Sequence, residues 1–125
     1  HYIQALKEER PEIVVAGDYN IAHTEIDIHD PKGNKKSSGF LPEERAWMDQ
    51  FLQSGWVDSF RKIHPTQTGA YSWWSQRFPS VRLNNKGWRI DYLCTTEKLS
   101  KKITHAEILP EVKHSDHCPI VVDLK

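Results

Sequence analysis

Apolar positions along this chain fall into short blocks separated by polar stretches. The first block, Ile13-Val14-Val15-Ala16, is a continuous apolar run. Such a run predicts a strand buried on both faces of its sheet. Before it, Tyr2 to Arg10 reads as the end of a helix, stopped by Pro11. Gly17-Asp18-Tyr19-Asn20 interrupts the strand. Residues 23–39 are then mainly polar, with Pro31, Gly33, Asn34 and Gly39 as turn formers, which predicts a long surface loop. A helix starts at Pro42, because proline suits a first helical turn. Its apolar residues Trp47, Met48, Phe51 and Leu52 share one face, and Gly55 stands where a helix is capped. Trp56 to His64 mixes apolar and polar residues without a clear period. Ala70–Trp74 and Arg89–Thr95 read as strands, joined by a polar loop carrying Arg77, Arg82, Asn84, Asn85 and Lys86. Ile103–Leu109 and Ile120–Leu124 read as two more. Strands interleaved with few helices give the class α/β, with a mixed α+β sheet.

Composition narrows the picture further. A length of 125 residues is one domain's worth. Formal net charge is zero, which argues against a strongly basic nucleic-acid coat but leaves room for a local basic patch. Five tryptophans are many for this length, and tryptophan serves cores and binding surfaces alike. Cys94 and Cys118 form neither a disulfide framework nor a zinc-ligand spacing. The default compartment is therefore a reducing cytoplasm, or a nucleus in a eukaryotic source. No apolar run approaches membrane-spanning length, so no membrane partner is expected. The chain opens on His1 inside what reads as a helix end. This predicts a piece of a larger domain whose upstream half lies outside the sequence.

Three acidic clusters stand at strand ends. In Gly17-Asp18-Tyr19-Asn20 a carboxylate and an amide two residues apart face one crevice, where Asp can bind a metal or orient a water and Asn can bond a phosphoryl oxygen. A plain Asx turn reads the same residues as structure alone. In Trp88-Arg89-Ile90-Asp91-Tyr92, Asp91 interrupts a good strand. A carboxylate there is either solvent-facing or in need of a partner. In His114-Ser115-Asp116-His117-Cys118-Pro119, two histidines and an aspartate gather ligand and acid–base types before the last strand. The bland alternative is a polar turn.

These segments together closely resemble the exodeoxyribonuclease III / abasic-site endonuclease family of the endonuclease/exonuclease/phosphatase superfamily. The loop from Asn20-Ile21-Ala22-His23 to Pro31-Lys32-Gly33-Asn34-Lys35-Lys36 and the stretch Ala70-Tyr71-Ser72-Trp73-Trp74 narrow the resemblance to its DNA-repair branch. It covers nearly the whole chain. The implied fold is part of a four-layer α/β/β/α sandwich of the DNase I-like type, with residues 1–125 as its C-terminal portion. The implied reaction is metal-dependent hydrolysis of the DNA backbone 5′ to abasic sites, with 3′–5′ exonuclease and 3′-phosphodiesterase activity.

The resemblance also implies roles. Asp18, Asn20, Asp91 and His117 are the expected catalytic residues, with Asp91 holding His117. Asp116, Asp18, Asn20 and His117 are expected at a divalent-metal site, for Mg²⁺ or alternatively Mn²⁺. Asn34, Lys35 and Ser37 are expected on the DNA backbone. Trp73, Trp88 and Ile90 are expected to line a pocket for the base-free sugar; for the tryptophans the alternative is core packing, to which Trp47, Trp56 and Trp74 are assigned. Which of Asp18 and His117 is the general base, and whether one metal or two act, stays open. Family members are roughly twice this length. Their N-terminal half supplies the chief metal-ligating Glu, which nothing here matches. The chain alone is therefore expected to be inactive and to self-associate as a homodimer. Two other readings remain: a superfamily phosphatase or lipid phosphodiesterase, and a non-catalytic module that binds DNA or a partner.

Overall fold

A computed structural model describes residues 2–125. In chain order the elements are α1 (Tyr2–Glu9), β1 (Val14–Asp18), a 3-10 turn at Glu25–Asp27, α2 (Pro42–Gln53), β2 (Trp56–Asp58), α3 (Ser59–Ile63), α4 (Pro79–Leu83), β3 (Asp91–Thr96), α5 (Glu97–Ser100), β4 (Ile103–Ile108) and β5 (Ile120–Leu124). β1, β3 and β2 form an antiparallel sheet with β3 in the middle, and β4 pairs antiparallel with β5 in a second sheet. The mixed helix-and-sheet class expected from the pattern is the one observed. No helix among the described residues is long and apolar enough to cross a membrane.

Local chemistry accounts for α2. Glu44 accepts the free N–H groups of Gly39 at 2.7 Å and Leu41 at 3.1 Å, so donors at the helix start are satisfied. At the other end Gly55 takes φ +100°, a conformation that glycine adopts without penalty. Met48 is fully buried and packs with Tyr92 and Cys94 of β3, which lays the helix on the three-stranded sheet.

The structure departs from the sequence reading in several places. β1 is not buried on both faces: it is an edge strand with mostly exposed residues, Val14 among them. An apolar run reports what a strand can bury, and here nothing among the described residues covers it. Ala70–Trp74 is not a strand either. Trp73 makes isolated bridges to Trp88 and to His117. The ladder stops because the Ser72 hydroxyl, not a backbone carbonyl, takes the N–H groups of Ile90 and Asp91. Asp58 closes β2 and caps α3 through the N–H of Arg61, which resolves the ambiguous Trp56–His64 segment. Trp47, assigned to packing, is half exposed, although its ring stacks on Phe51 at 5.4 Å. The loop between Trp74 and Trp88 also holds a short helix, α4.

Beneath the sheet sits a buried ionic cluster. Arg89 is 1% exposed. Its Nε donates to Asp27 at 2.7 Å, and its two terminal nitrogens donate to the two oxygens of Asp58 at 3.1 and 2.6 Å. Arg61 donates a second pair of bonds to Asp27, at 2.6 and 3.2 Å. The other Asp27 oxygen accepts the amide and hydroxyl of Thr24, both at 2.9 Å. Burial raises the Asp27 pKa, but Arg89 and Arg61 outweigh it and hold the carboxyl at about 2. Charges balance, two carboxylates against two guanidinium groups.

Removing one member of such a cluster leaves uncompensated buried charge. We expect Arg89→Ala to lower unfolding free energy by about 3–5 kcal/mol in urea titration. An unchanged midpoint would show that the cluster does not hold the fold.

Candidate active site

The ends of β1 and β3 lie side by side, and this places the first two acidic residues. In the antiparallel register Asp18 stands opposite Asp91. His117 arrives from the segment before β5. Its Nδ1 donates to Asp91 Oδ2 at 2.9 Å, which leaves Nε2 facing Asp18 Oδ2 at 3.9 Å. The orphan carboxylate of the β3 motif thus has its partner. That bond also fixes the imidazole orientation and leaves Nε2 toward the crevice.

Asn20 joins the group through a turn. It takes φ +57°, in the left-handed region that Asn tolerates, and its N–H donates to Asp18 Oδ1 at 2.7 Å. Between them Tyr19 turns inward, its ring 4.9 Å from that of Tyr92, so Asp18 and Asn20 are left on the open side. Asp18, Asn20, Trp73, Trp88, Ile90 and His117 line one cavity of about 220 Å³. Trp73 and Trp88 meet edge to face at 6.1 Å, and Ile90 packs behind them with Ala22, Ile28 and Phe40. Gly39 makes room for this wall: it has φ +97°, and a Cβ there would sit 2.8 Å from the Trp88 ring.

Asp116 is next to His117 in sequence, but its carboxylate is turned elsewhere. It accepts from Trp73 Nε1 at 3.0 Å and from the Ser115 hydroxyl at 3.1 Å. The Trp73 bond, helped by Ser115 and by the charge of His117, holds its pKa below the ordinary carboxylate range. Among the described residues, Asp18, Asp91 and His117 form a tight group of potential metal ligands, with donor atoms within 4.8 Å of one another. Two carboxylates and an imidazole are a donor set that can hold a divalent cation.

Electrostatics fit this grouping. Burial disfavours a charged His117. The hydrogen bond to Asp91 and the charges of Asp91, Asp18 and Asp116 outweigh burial, and His117 keeps its proton to higher pH than a free histidine. The cysteines are not nucleophiles here: burial pushes Cys94 to about 12 and Cys118 to about 11.

Of the expected DNA-contacting residues, Asn34 donates to the carbonyls of His29 and Asp30 and accepts from Ser37. Asn34 and Ser37 therefore shape their own loop. Lys35 is exposed on it, as are Lys32 and Lys36.

The profile of the Endonuclease/Exonuclease/phosphatase family matches residues 1–117. The chain belongs to this family. It is 46% identical over 119 residues to the exodeoxyribonuclease of Bacillus subtilis, covering 95% of this chain and 46% of that protein. It is 42% identical over 123 residues to the DNA repair nuclease APEX1 of Danio rerio, covering 98% of this chain and 39% of that one. The AP endonuclease structure from Archaeoglobus fulgidus superposes with a TM-score of 0.91 at 29% identity, covering 99% of this chain and 49% of that one. The chain thus spans less than half the length of these relatives.

Two supports of the family's motif segments were not visible in the sequence. Arg82 stands 4.4 Å over the Trp74 ring and donates to the carbonyls of Pro110, Val112 and Ser115, which fastens the approach to Asp116. Sequence pattern placed it only in a polar loop. Ser72 bonds Ile90 and Asp91 of one motif segment and Cys118 of another from a position between aromatic residues, and no sequence signal distinguishes it.

The His117–Asp91 pair makes a direct prediction. Asp91→Asn removes the charge that favours imidazolium, so His117 should lose its proton at lower pH than in the wild type. An NMR titration of the His117 ring protons reads this; an unmoved midpoint would mean that the pair is not formed.

Proposed function

We propose that residues 1–125 are the C-terminal portion of a metal-dependent DNA-repair phosphodiesterase. The complete protein cleaves the DNA backbone 5′ to abasic sites and carries 3′–5′ exonuclease and 3′-phosphodiesterase activity. The observation that carries this reading is the Asp18–His117–Asp91 group at the mouth of a cavity walled by Trp73, Trp88 and Ile90. At about 220 Å³ the cavity is smaller than the roughly 300–1,000 Å³ of pockets for drug-sized ligands. It suits a base-free sugar and would turn away a nucleotide that keeps its base. The relatives named an exodeoxyribonuclease, a DNA repair nuclease and an AP endonuclease support the same chemistry.

In this reading Asp91 orients His117, and His117 offers Nε2 to a phosphoryl oxygen or to the attacking water. Asp18 aligns that water from the opposite wall, and Asn20 steadies the phosphate. Asp18, with Asp91 and Asp116 close by, would hold Mg²⁺, with Mn²⁺ as a substitute. The cation supplies charge neutralisation at the phosphate. Lys35, with Lys32 and Lys36, meets backbone phosphates. Single Asp18→Ala and His117→Ala changes in the complete protein should lower turnover on abasic duplex DNA by about 10²–10⁴-fold. Near-normal cleavage by both variants would show the site to be misassigned.

The 125-residue chain by itself should not cleave DNA above background with added Mg²⁺, because residues outside it complete the metal site. It should also self-associate. The bare edge of β1 borders an open apolar groove of about 890 Å³ lined by Tyr2, Val15, Tyr19, Ile21, Trp47 and Phe51, and surfaces of that kind seek cover. Light scattering and nuclease assays decide the matter: a clean, fully active monomer contradicts both parts.

A further inference from the structure

We propose that Ser72 is a positioning residue for the His117–Asp91 pair, tied to one partner by its side chain and to the neighbour of the other by its backbone. The inference rests on that pair being part of a hydrolytic site. Ser72 is fully buried and does not line the cavity. Its hydroxyl oxygen accepts two backbone donors at once, the N–H of Ile90 at 3.0 Å and that of Asp91 at 3.1 Å. Its carbonyl accepts the N–H of Cys118, the residue after His117, at 2.8 Å. Its own N–H donates to Trp88 at 2.9 Å. One residue therefore bonds directly to Asp91 and to the peptide that follows His117.

The geometry at Asp91 gives the hydroxyl its importance. Successive N–H groups of a regular strand point to opposite edges. One acceptor can collect two of them only where the chain departs from regular extension. That place is the entry to β3, which begins at Asp91. The hydroxyl thus sets the direction in which the Asp91 side chain leaves the backbone. That direction in turn decides whether Oδ2 comes within 2.9 Å of His117 Nδ1. An alanine would fit the space but would orphan two neighbouring donors, one buried and one part-buried, and the backbone would shift to satisfy them. A serine that served stability alone would leave turnover of the folded protein unchanged; a positioning serine would not.

The test uses the complete protein that carries this chain, held below its unfolding transition. Two readouts are compared in wild type, Ser72→Ala and Ser72→Thr: kcat and KM on a duplex with one abasic site, and the proton NMR resonance of the His117 Nδ1–H. Misplacing a catalytic group costs turnover more than binding, so Ser72→Ala should lower kcat about 10–100-fold with KM within about twofold. The Nδ1–H resonance should move upfield or vanish through exchange. Ser72→Thr keeps the hydroxyl and should restore both readouts. A Ser72→Ala protein with wild-type kcat and an unmoved resonance would overturn the proposal. Should Ser72→Ala fail to fold, Ser72→Cys carries the same test with a weaker acceptor, and wild-type values for both readouts would overturn it equally. A wild-type protein that does not cleave abasic DNA would defeat the functional reading instead, and the NMR comparison alone would then decide the role of Ser72.

Discussion

The guanidinium of Arg89, buried between Asp27 and Asp58, is the interaction on which the rest of the structure depends. Ionic groups out of water cost several kcal/mol each unless every donor and acceptor is matched. Here the matching is dense: a two-pronged contact with Asp58, a single bond to Asp27, and aromatic rings of Phe60 and Tyr92 at 5.4 and 4.7 Å. The backbone adds a bond from the Arg89 N–H to the Asp27 carbonyl at 2.7 Å. Three segments far apart in the chain meet at this point: the loop after β1, the end of β2 and the approach to β3. Few arrangements of those segments satisfy all the charges, so the cluster selects one.

The candidate site inherits that selection. Arg89 is two residues from Asp91, so the cluster anchors the strand entry from below while the Ser72 hydroxyl holds it from the side. β1 then brings Asp18 opposite Asp91 through the sheet register. His117 comes from a third segment, and its neighbours are fastened by Ser72 and, through the preceding loop, by Arg82. Rigid support on all sides suits chemistry that depends on placing groups within fractions of an ångström.

The same arrangement creates an electrostatic demand. Asp18, Asp91 and Asp116 surround a single histidine, and the raised affinity of His117 for its proton shows how negative the neighbourhood is. A DNA phosphate would be repelled by it. A divalent cation held near Asp18 and Asp91 would offset that charge. The lysines of the 31–36 stretch supply positive charge farther out, on a chain whose net charge is zero.

Short-range features follow from neighbours along the chain. Pro42 and Gly55 bracket α2, Met48 marks its inner face, and β4 and β5 follow their apolar runs. The three polar motifs were legible because Asp, Asn and His at strand ends are unusual enough to stand out locally. Tertiary structure decided everything that depends on distant partners. Arg89 and Asp27 are 62 positions apart and Arg89 and Asp58 are 31 apart. Each is an ordinary charged residue until the fold buries it. Ser72 and Asp91 are 19 apart, and the hydroxyl gains its role only where an expected ladder breaks. The exposure of β1 has the same origin. An apolar run records a strand's own preference, whereas burial requires a second surface, and that surface is not among the described residues. Periodicity is a property of neighbours along the chain; ion pairing, orientation of His117 and cover of a sheet are properties of neighbours in space.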